Sequence, residues 1–176
     1  MDPSSLKNRR MTKKEFTKIE QRFAKISESI LLKIINAGRI APSASNKQPW
    51  KFLIISSPEM LEKVRPCYHG DWFKDAPHIL VVVGDKSSSW IRKADSYNSI
   101  ETDLTIAMDH MILAAEALGI GTCWISAFDN AVLRNALQLS ENEIVYNITP
   151  LGYPNKGFQK KSVKVRKSID EVVEFL

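Results

Sequence analysis

Five consecutive apolar residues, Ile79-Leu80-Val81-Val82-Val83, run between His78 and Gly84-Asp85 without alternating with polar ones. A strand with one wet face alternates, so this pattern predicts a strand covered on both faces, at the centre of a sheet. A second segment presses the same conclusion. From Asp103 to Leu118 the chain is apolar around most of a helical circumference, with Leu104, Ile106, Met108, Met111, Ile112 and Leu113 joined by four alanines. Such a helix is central and buried, and its alanines admit the close approach of another helix, with a dimer interface as one outcome.

The remaining elements follow from periodicity and punctuation. Phe16 to Ile40 carries apolar residues at helical spacing, predicting an amphipathic helix broken near Ser27 to Ser29 and stopped by Ala41 ahead of Pro42. Lys51 to Ser56 reads as a strand. Ser57-Pro58-Glu59 opens a short helix, with Ser57 as its cap, ending before Pro66. Cys67 to Asp75 is irregular and predicts a loop, as does Lys86 to Ser89. Thr122 to Phe128 predicts a strand, Asp129-Asn130 a cap for a helix from Ala131 to Leu139, Ile144 to Pro154 a strand, and Ile169 to Leu176 a short final helix. This order implies a mixed αβ domain with a layered sheet.

At 176 residues, with 44% hydrophobic and 26% charged residues, the chain suits one domain, taken here as 1–176. The absence of a long apolar run argues against a membrane span, and the N-terminus lacks the order of a signal peptide, so a cytoplasmic location is expected. Cys67 and Cys123 form no Cys-x-x-Cys pair, and His69, His78 and His110 have no metal-ligand spacing. His110 reads as a hydrogen-bonded core residue. The net charge of +5 concentrates in Lys7 to Lys14 and Lys156 to Lys167. Two separated basic ends suit a compact anion such as a phosphate as well as a nucleic acid.

Between Arg39 and Trp50 lies the densest set of small polar groups in the chain. Ser43, Ser45, Asn46 and Gln48 offer hydroxyls and amides without charge. Together with Arg10, Thr12 and Lys14 at one end and Lys164 and Arg166 at the other, they would suit a phosphorylated ligand with a ring and a polyol.

The run Ala41-Pro42-Ser43-Ala44-Ser45-Asn46-Lys47-Gln48-Pro49-Trp50 resembles the Ala-Pro-Ser-x-x-Asn-x-Gln-Pro-Trp motif of the FMN-dependent nitroreductase family. Further matches fall in order: Arg10 to Phe16, Asp103 to Ala115, Leu118 to Ile125, and Leu151-Gly152-Tyr153-Pro154. The resemblance implies an α+β fold, a three-layer α/β/α sandwich whose central mixed sheet is mostly antiparallel and packs a long buried helix. It also implies a homodimer with FMN at each subunit junction, to which residues 1–16 and 155–176 contribute.

Carried over residue by residue, the resemblance assigns Arg10 and Thr12 to the phosphate and Lys14 to the flavin ring. Pro42, Ser43, Ala44 and Asn46, with Gln48 close by, would serve the ribityl chain and ring from the other subunit. Backbone N–H groups of Ser126 and Ala127 would meet the ring near N5, and Lys164 and Arg166 would close on the phosphate. Met11, Thr12 and Lys14 depart from the family's Arg, Ser and Arg. Ala44 has no side-chain donor, so any contact there is through its backbone. The implied activity is hydride transfer from NAD(P)H through the flavin to a nitroaromatic, quinone or similar acceptor by a ping-pong mechanism, with neither nucleic acid nor membrane as partner. Two alternatives stand beside it: a flavin-binding protein of the same fold that does not turn over nicotinamide, and a basic nucleic-acid-binding module.

Overall fold

The computed structural model describes residues 25–154 and 165–176. Arg10, Thr12, Lys14, Lys164 and the first part of the Phe16 to Ile40 helix lie outside the described residues. Among the described residues the helices are α1 (Glu28–Arg39), α2 (Pro58–Val64), α3 (Asp71–Lys74), α4 (Ile100–Ala117) and α5 (Asn130–Leu137). The strands are β1 (Trp50–Ile55), β2 (His78–Asp85), β3 (Gly121–Thr122) and β4 (Glu143–Gly152). They form one sheet in the order β1-β2-β4-β3, and every pair is antiparallel.

Strand β2 sits inside the sheet, as its unalternating sequence requires, and divides the core. Ile79, Val81 and Val83 join Leu61, Val64, Trp72, Phe73 and Leu133 on the face covered by α2, α3 and α5. Leu80 and Val82 point the other way, into Leu31, Ile34, Leu104, Met108 and Met111 of α1 and α4. Each such side chain removed from water contributes about 2 kcal/mol, so both helical layers are held mainly by this one strand and its neighbours. The result is a three-layer α/β/α sandwich.

Local chemistry explains most boundaries. Ser57 Oγ accepts from Met60 N at 3.3 Å to cap α2, and Asp129 accepts from Val132 N at 3.0 Å to cap α5. Helix α1 begins after extended Ser27 and ends at Arg39. It crosses α4 closely, because a Cβ on Gly38 would lie 2.7 Å from Met111 Sδ. Helix α4 starts three residues before the expected Asp103, since Asn98 Oδ1 accepts from Ile100 N at 2.9 Å.

Three expectations are corrected. The segment 67–75 is not simply a loop: α3 forms within it and buries Trp72 and Phe73, which pack edge-on against Tyr68 with ring centroids 5.5 and 5.3 Å away. The strand expected over Thr122 to Phe128 stops at Thr122 and regains only one bridge, Ile125 to Ile148, because Cys123 N donates to the Thr149 hydroxyl instead of a ladder carbonyl. The final helix shrinks to one turn, Ile169–Glu171, capped by Ser168 and Glu171. Ile169, Val172, Phe175 and Leu176 of this segment are all exposed, and apolar side chains without packing partners among the described residues give a helix little to form against.

Candidate functional site

The polar run after α1 folds into a compact loop closed by its own hydrogen bonds. Ser43 organises it, its carbonyl accepting from Asn46 N and its hydroxyl from Gln48 N, both at 2.9 Å. Three non-glycine residues here, Ser45, Asn46 and Gln48, have φ of 51°, 54° and 50°. Left-handed backbone costs an L-residue about 1–2 kcal/mol. Three such residues in a row of four form a shape the surrounding structure must enforce. The reward is presentation: Pro42, Ser45, Asn46, Lys47 and Gln48 are exposed, while Ala41 and Pro49 at the base are buried.

The loop places Ala44 differently from a free backbone donor. Its N–H donates to Asp103 Oδ1 at 2.9 Å, and its carbonyl accepts from Lys47 N at 3.1 Å. Asp103, 2% exposed in the first turn of α4, accepts at its other oxygen from Ser99 Oγ at 2.8 Å. Asp103 opens one of the family's helix motifs but carries no site role in the sequence reading, and nothing marks Ser99. A second signal was acidic residues, Glu101 and Asp103, in the first turn of a largely apolar helix, where the helix dipole favours them.

Ser126 and Ala127 lie elsewhere. They follow the Ile125 bridge, are exposed, and among the described residues their backbone N–H groups donate to nothing. Trp124 Nε1 donates to Ser126 Oγ at 2.9 Å, which fixes the turn of the chain there. The bridge register sets Asn147 opposite Ser126, at a bulge where Tyr146 and Asn147 face the single residue Val82. Asn147 is 1% exposed, and among the described residues both polar atoms of its carboxamide lack a partner. Buried amides are normally satisfied, so this corner carries uncommitted polar capacity.

The registers also measure how far apart these two groups stand within one chain. Ile125 pairs Ile148, Ile148 pairs Val81 and Val81 pairs Leu53, with Trp50 three residues earlier on β1. At about 4.8 Å per strand and 3.3 Å per residue, Ile125 and the base of the polar loop are roughly 17 Å apart. The two sets therefore occupy opposite edges of the sheet.

Beside Gln48 an open groove of about 500 Å³ is lined by Trp50, Lys51, Asp85, Ser87 and Glu143. Its one cation is matched, and its two carboxylates leave the lining net negative. Lys51 pairs with Glu143, and this hydrogen bond first, with those from Ser140, holds the Glu143 carboxyl down to about 2. Asp85 is lowered by hydrogen bonds from Ser87. The groove offers no uncompensated positive charge for an anion. Arg166 does: it is exposed, and among the described residues its guanidinium bonds only to the Val165 carbonyl, at 3.0 Å.

Other reactive side chains are committed to the fold. Burial pushes the Cys67 thiol up to about 12, which removes it as a nucleophile. His78 accepts from Ile26 N at 3.1 Å through Nε2 and meets Ser56 Oγ at 2.6 Å through Nδ1; burial first and the Lys25 charge second lower its pKa. His110 is half-buried and, contrary to expectation, its ring makes no hydrogen bond among the described residues. No group of His, Cys, Asp and Glu among the described residues could hold a metal ion. No helix among them is long and apolar enough to cross a membrane.

The family model described as "Nitroreductase family" matches residues 6–69 and 62–153. The chain belongs to the nitroreductase family. It is 34% identical over 134 residues to an inferred NADH dehydrogenase/NAD(P)H nitroreductase of Archaeoglobus fulgidus, covering 73% of this chain and 75% of that protein. The fold matches a nitroreductase family protein of Clostridium difficile 630 with a TM-score of 0.83 and 28% identity, covering 99% and 98% of the two chains. An inferred nitroreductase of Desulfovibrio desulfuricans solved in complex with FMN matches with a TM-score of 0.74 at 22% identity, over 98% and 96%. Membership of the nitroreductase family sets the chain among oxidoreductases.

Proposed function

We propose that this nitroreductase-family protein is a homodimeric, FMN-dependent oxidoreductase that takes electrons from NAD(P)H and passes them to a nitroaromatic, quinone or similar acceptor. The observation that carries the reading is the polar loop: a strained, outward-facing set of amides and hydroxyls at the position of the family's motif. The uncommitted N–H groups of Ser126 and Ala127 and the unpartnered Asn147 favour a polar ring ligand at the other corner, and FMN suits both. A roughly 17 Å gap between the two corners in one chain favours a site assembled from two copies. The exposed apolar tail from Val165 to Leu176 favours the same arrangement, since such a surface calls for a partner.

In this reading FMN supplies the two-electron redox chemistry, with donor and acceptor using one face in turn. The chain supplies position and charge. Arg10, Thr12, Lys164 and Arg166 would hold the phosphate, and Lys14 would favour negative charge on the ring. Pro42, Ser43, Ala44, Asn46 and Gln48 of one subunit would hold the ribityl chain and ring edge. The N–H groups of Ser126 and Ala127 of the other would donate to the ring. Residues 1–16 and 155–176 belong in this account to one domain, 1–176, as arms that complete the site.

The visible spectrum of the purified protein tests the reading. Flavin absorbance, released on denaturation, is expected, as is weakened FMN retention in Asn46→Ala and Arg166→Ala with the fold unchanged. Colourless protein that FMN cannot reconstitute would sink the proposal. Bound flavin without NAD(P)H oxidation in the presence of a quinone or nitro acceptor would instead leave a flavin-binding protein without turnover.

A further inference from the structure

The loop from Pro42 to Gln48 is shaped almost wholly from within. Apart from the bond between the Gln48 carbonyl and neighbouring Trp50 N, one hydrogen bond joins it to the rest of the described fold: Ala44 N to Asp103 Oδ1, across 59 positions of sequence. All three left-handed residues, Ser45, Asn46 and Gln48, lie just beyond that tether. The carboxylate at its other end is held firmly. Asp103 is buried, its own N–H donates to the Ser99 carbonyl at 2.9 Å, and its second oxygen takes the Ser99 hydroxyl. Ser99 is itself fixed, because its N–H donates to the Trp90 carbonyl at 3.0 Å, closing the base of the 90–99 segment.

We propose that Asp103, oriented by Ser99, is the positioning residue that holds the Ser43–Gln48 loop in its ligand-binding conformation. The inference rests on the FMN reading of that loop and adds a residue that touches no ligand. Physically, a backbone with three residues in a disfavoured region relaxes toward ordinary conformations unless it is pinned. A hydrogen bond from the Ala44 N–H to a buried carboxyl oxygen is strong enough to pin it and too costly to leave unmade. Without the bond, binding FMN would first require the loop to be re-formed, and affinity falls by that amount. The loop's outward groups are unchanged, so the effect is on how often the site is competent.

The experiment compares FMN affinity, by quenching of flavin fluorescence, in wild type, Asp103→Ala and Asp103→Asn. Asn can still accept from Ala44 N with its oxygen and donate to Ser99 Oγ with its nitrogen. The expectation is a roughly tenfold weaker Kd for Asp103→Ala and a change within about threefold for Asp103→Asn. In the FMN-free proteins, amide hydrogen exchange across 43–48 should speed up in Asp103→Ala and stay near wild type in Asp103→Asn. Wild-type affinity in Asp103→Ala, or equal losses in both variants, overturns the proposal. Should Asp103→Ala fail to fold, Ala44→Pro removes the donor while leaving the core intact, and its extended neighbour Ser43 tolerates a following proline; it must then show the same loss, and wild-type affinity overturns the idea. Failure of wild type to bind FMN would refute the cofactor reading, and the exchange measurement would still decide whether Asp103 shapes the loop.

Discussion

Ser45 separates the shape of the loop from its chemistry. Its φ of 51° and ψ of 27° lie in the left-handed region, its side chain is exposed, and it makes no hydrogen bond among the described residues. If its contribution is conformational, glycine should serve as well as serine. Ser45→Gly removes a left-handed cost of about 1–2 kcal/mol and adds about 0.5–1 kcal/mol of chain entropy, a net change near zero or slightly favourable. A β-branched residue is worse than serine in this region by about 1 kcal/mol or more, and the loop would spend correspondingly more time in other conformations. Ser45→Val should therefore weaken FMN binding at least roughly fivefold, with Ser45→Gly within about twofold of wild type. The thermal midpoint should barely move in either, because Ser45 is exposed. Fluorescence titration of FMN and a melt of the FMN-free protein check this. Wild-type affinity in the valine variant, or a large loss in the glycine variant, would refute the conformational argument.

Two further predictions concern the scaffold. His78 is more basic in the unfolded chain, near 6.5, than in the fold, where burial lowers it. The unfolded state thus binds the extra proton first, so stability should be level above about pH 6.5 and fall as pH drops below it; melts from pH 8 to 5 should show this, and His78→Gln should flatten the fall. An added Cβ at Gly84 would lie 2.8 Å from Ile100 Cδ1 and Leu104 Cδ1. Gly84→Val should cost about 1–3 kcal/mol in chemical denaturation, and an unchanged midpoint would contradict this packing.

What could be read from the sequence was what short-range rules decide. Ile79 to Val83 announced a strand with two covered faces, and Ser57 and Asp129 announced helix starts that their side chains then made. Nitroreductase-family membership followed from motifs in order along the chain. Long-range choices were less visible. Whether Cys123 N bonds a ladder carbonyl or the Thr149 hydroxyl depends on a residue 26 positions away, and no periodicity encodes it. The tether from Ala44 to Asp103 spans still more of the chain, and the left-handed residues Ser45, Asn46 and Gln48 include no glycine to mark them. Trp72 and Phe73 read as loop residues in the sequence because a four-residue helix is too short to show a period.

In the proposed dimer each flavin site joins the polar loop of one subunit to the other corner of its neighbour. Asn46→Ala damages the first half and Arg10→Ala the second. Co-expressed, the two variants form mixed dimers in which one site carries both lesions and the other carries neither. With random pairing in a two-fold dimer, about a quarter of all sites should regain wild-type FMN affinity, titrated at limiting flavin. A site contained within one subunit predicts no recovery beyond either variant alone, and that result would contradict the account.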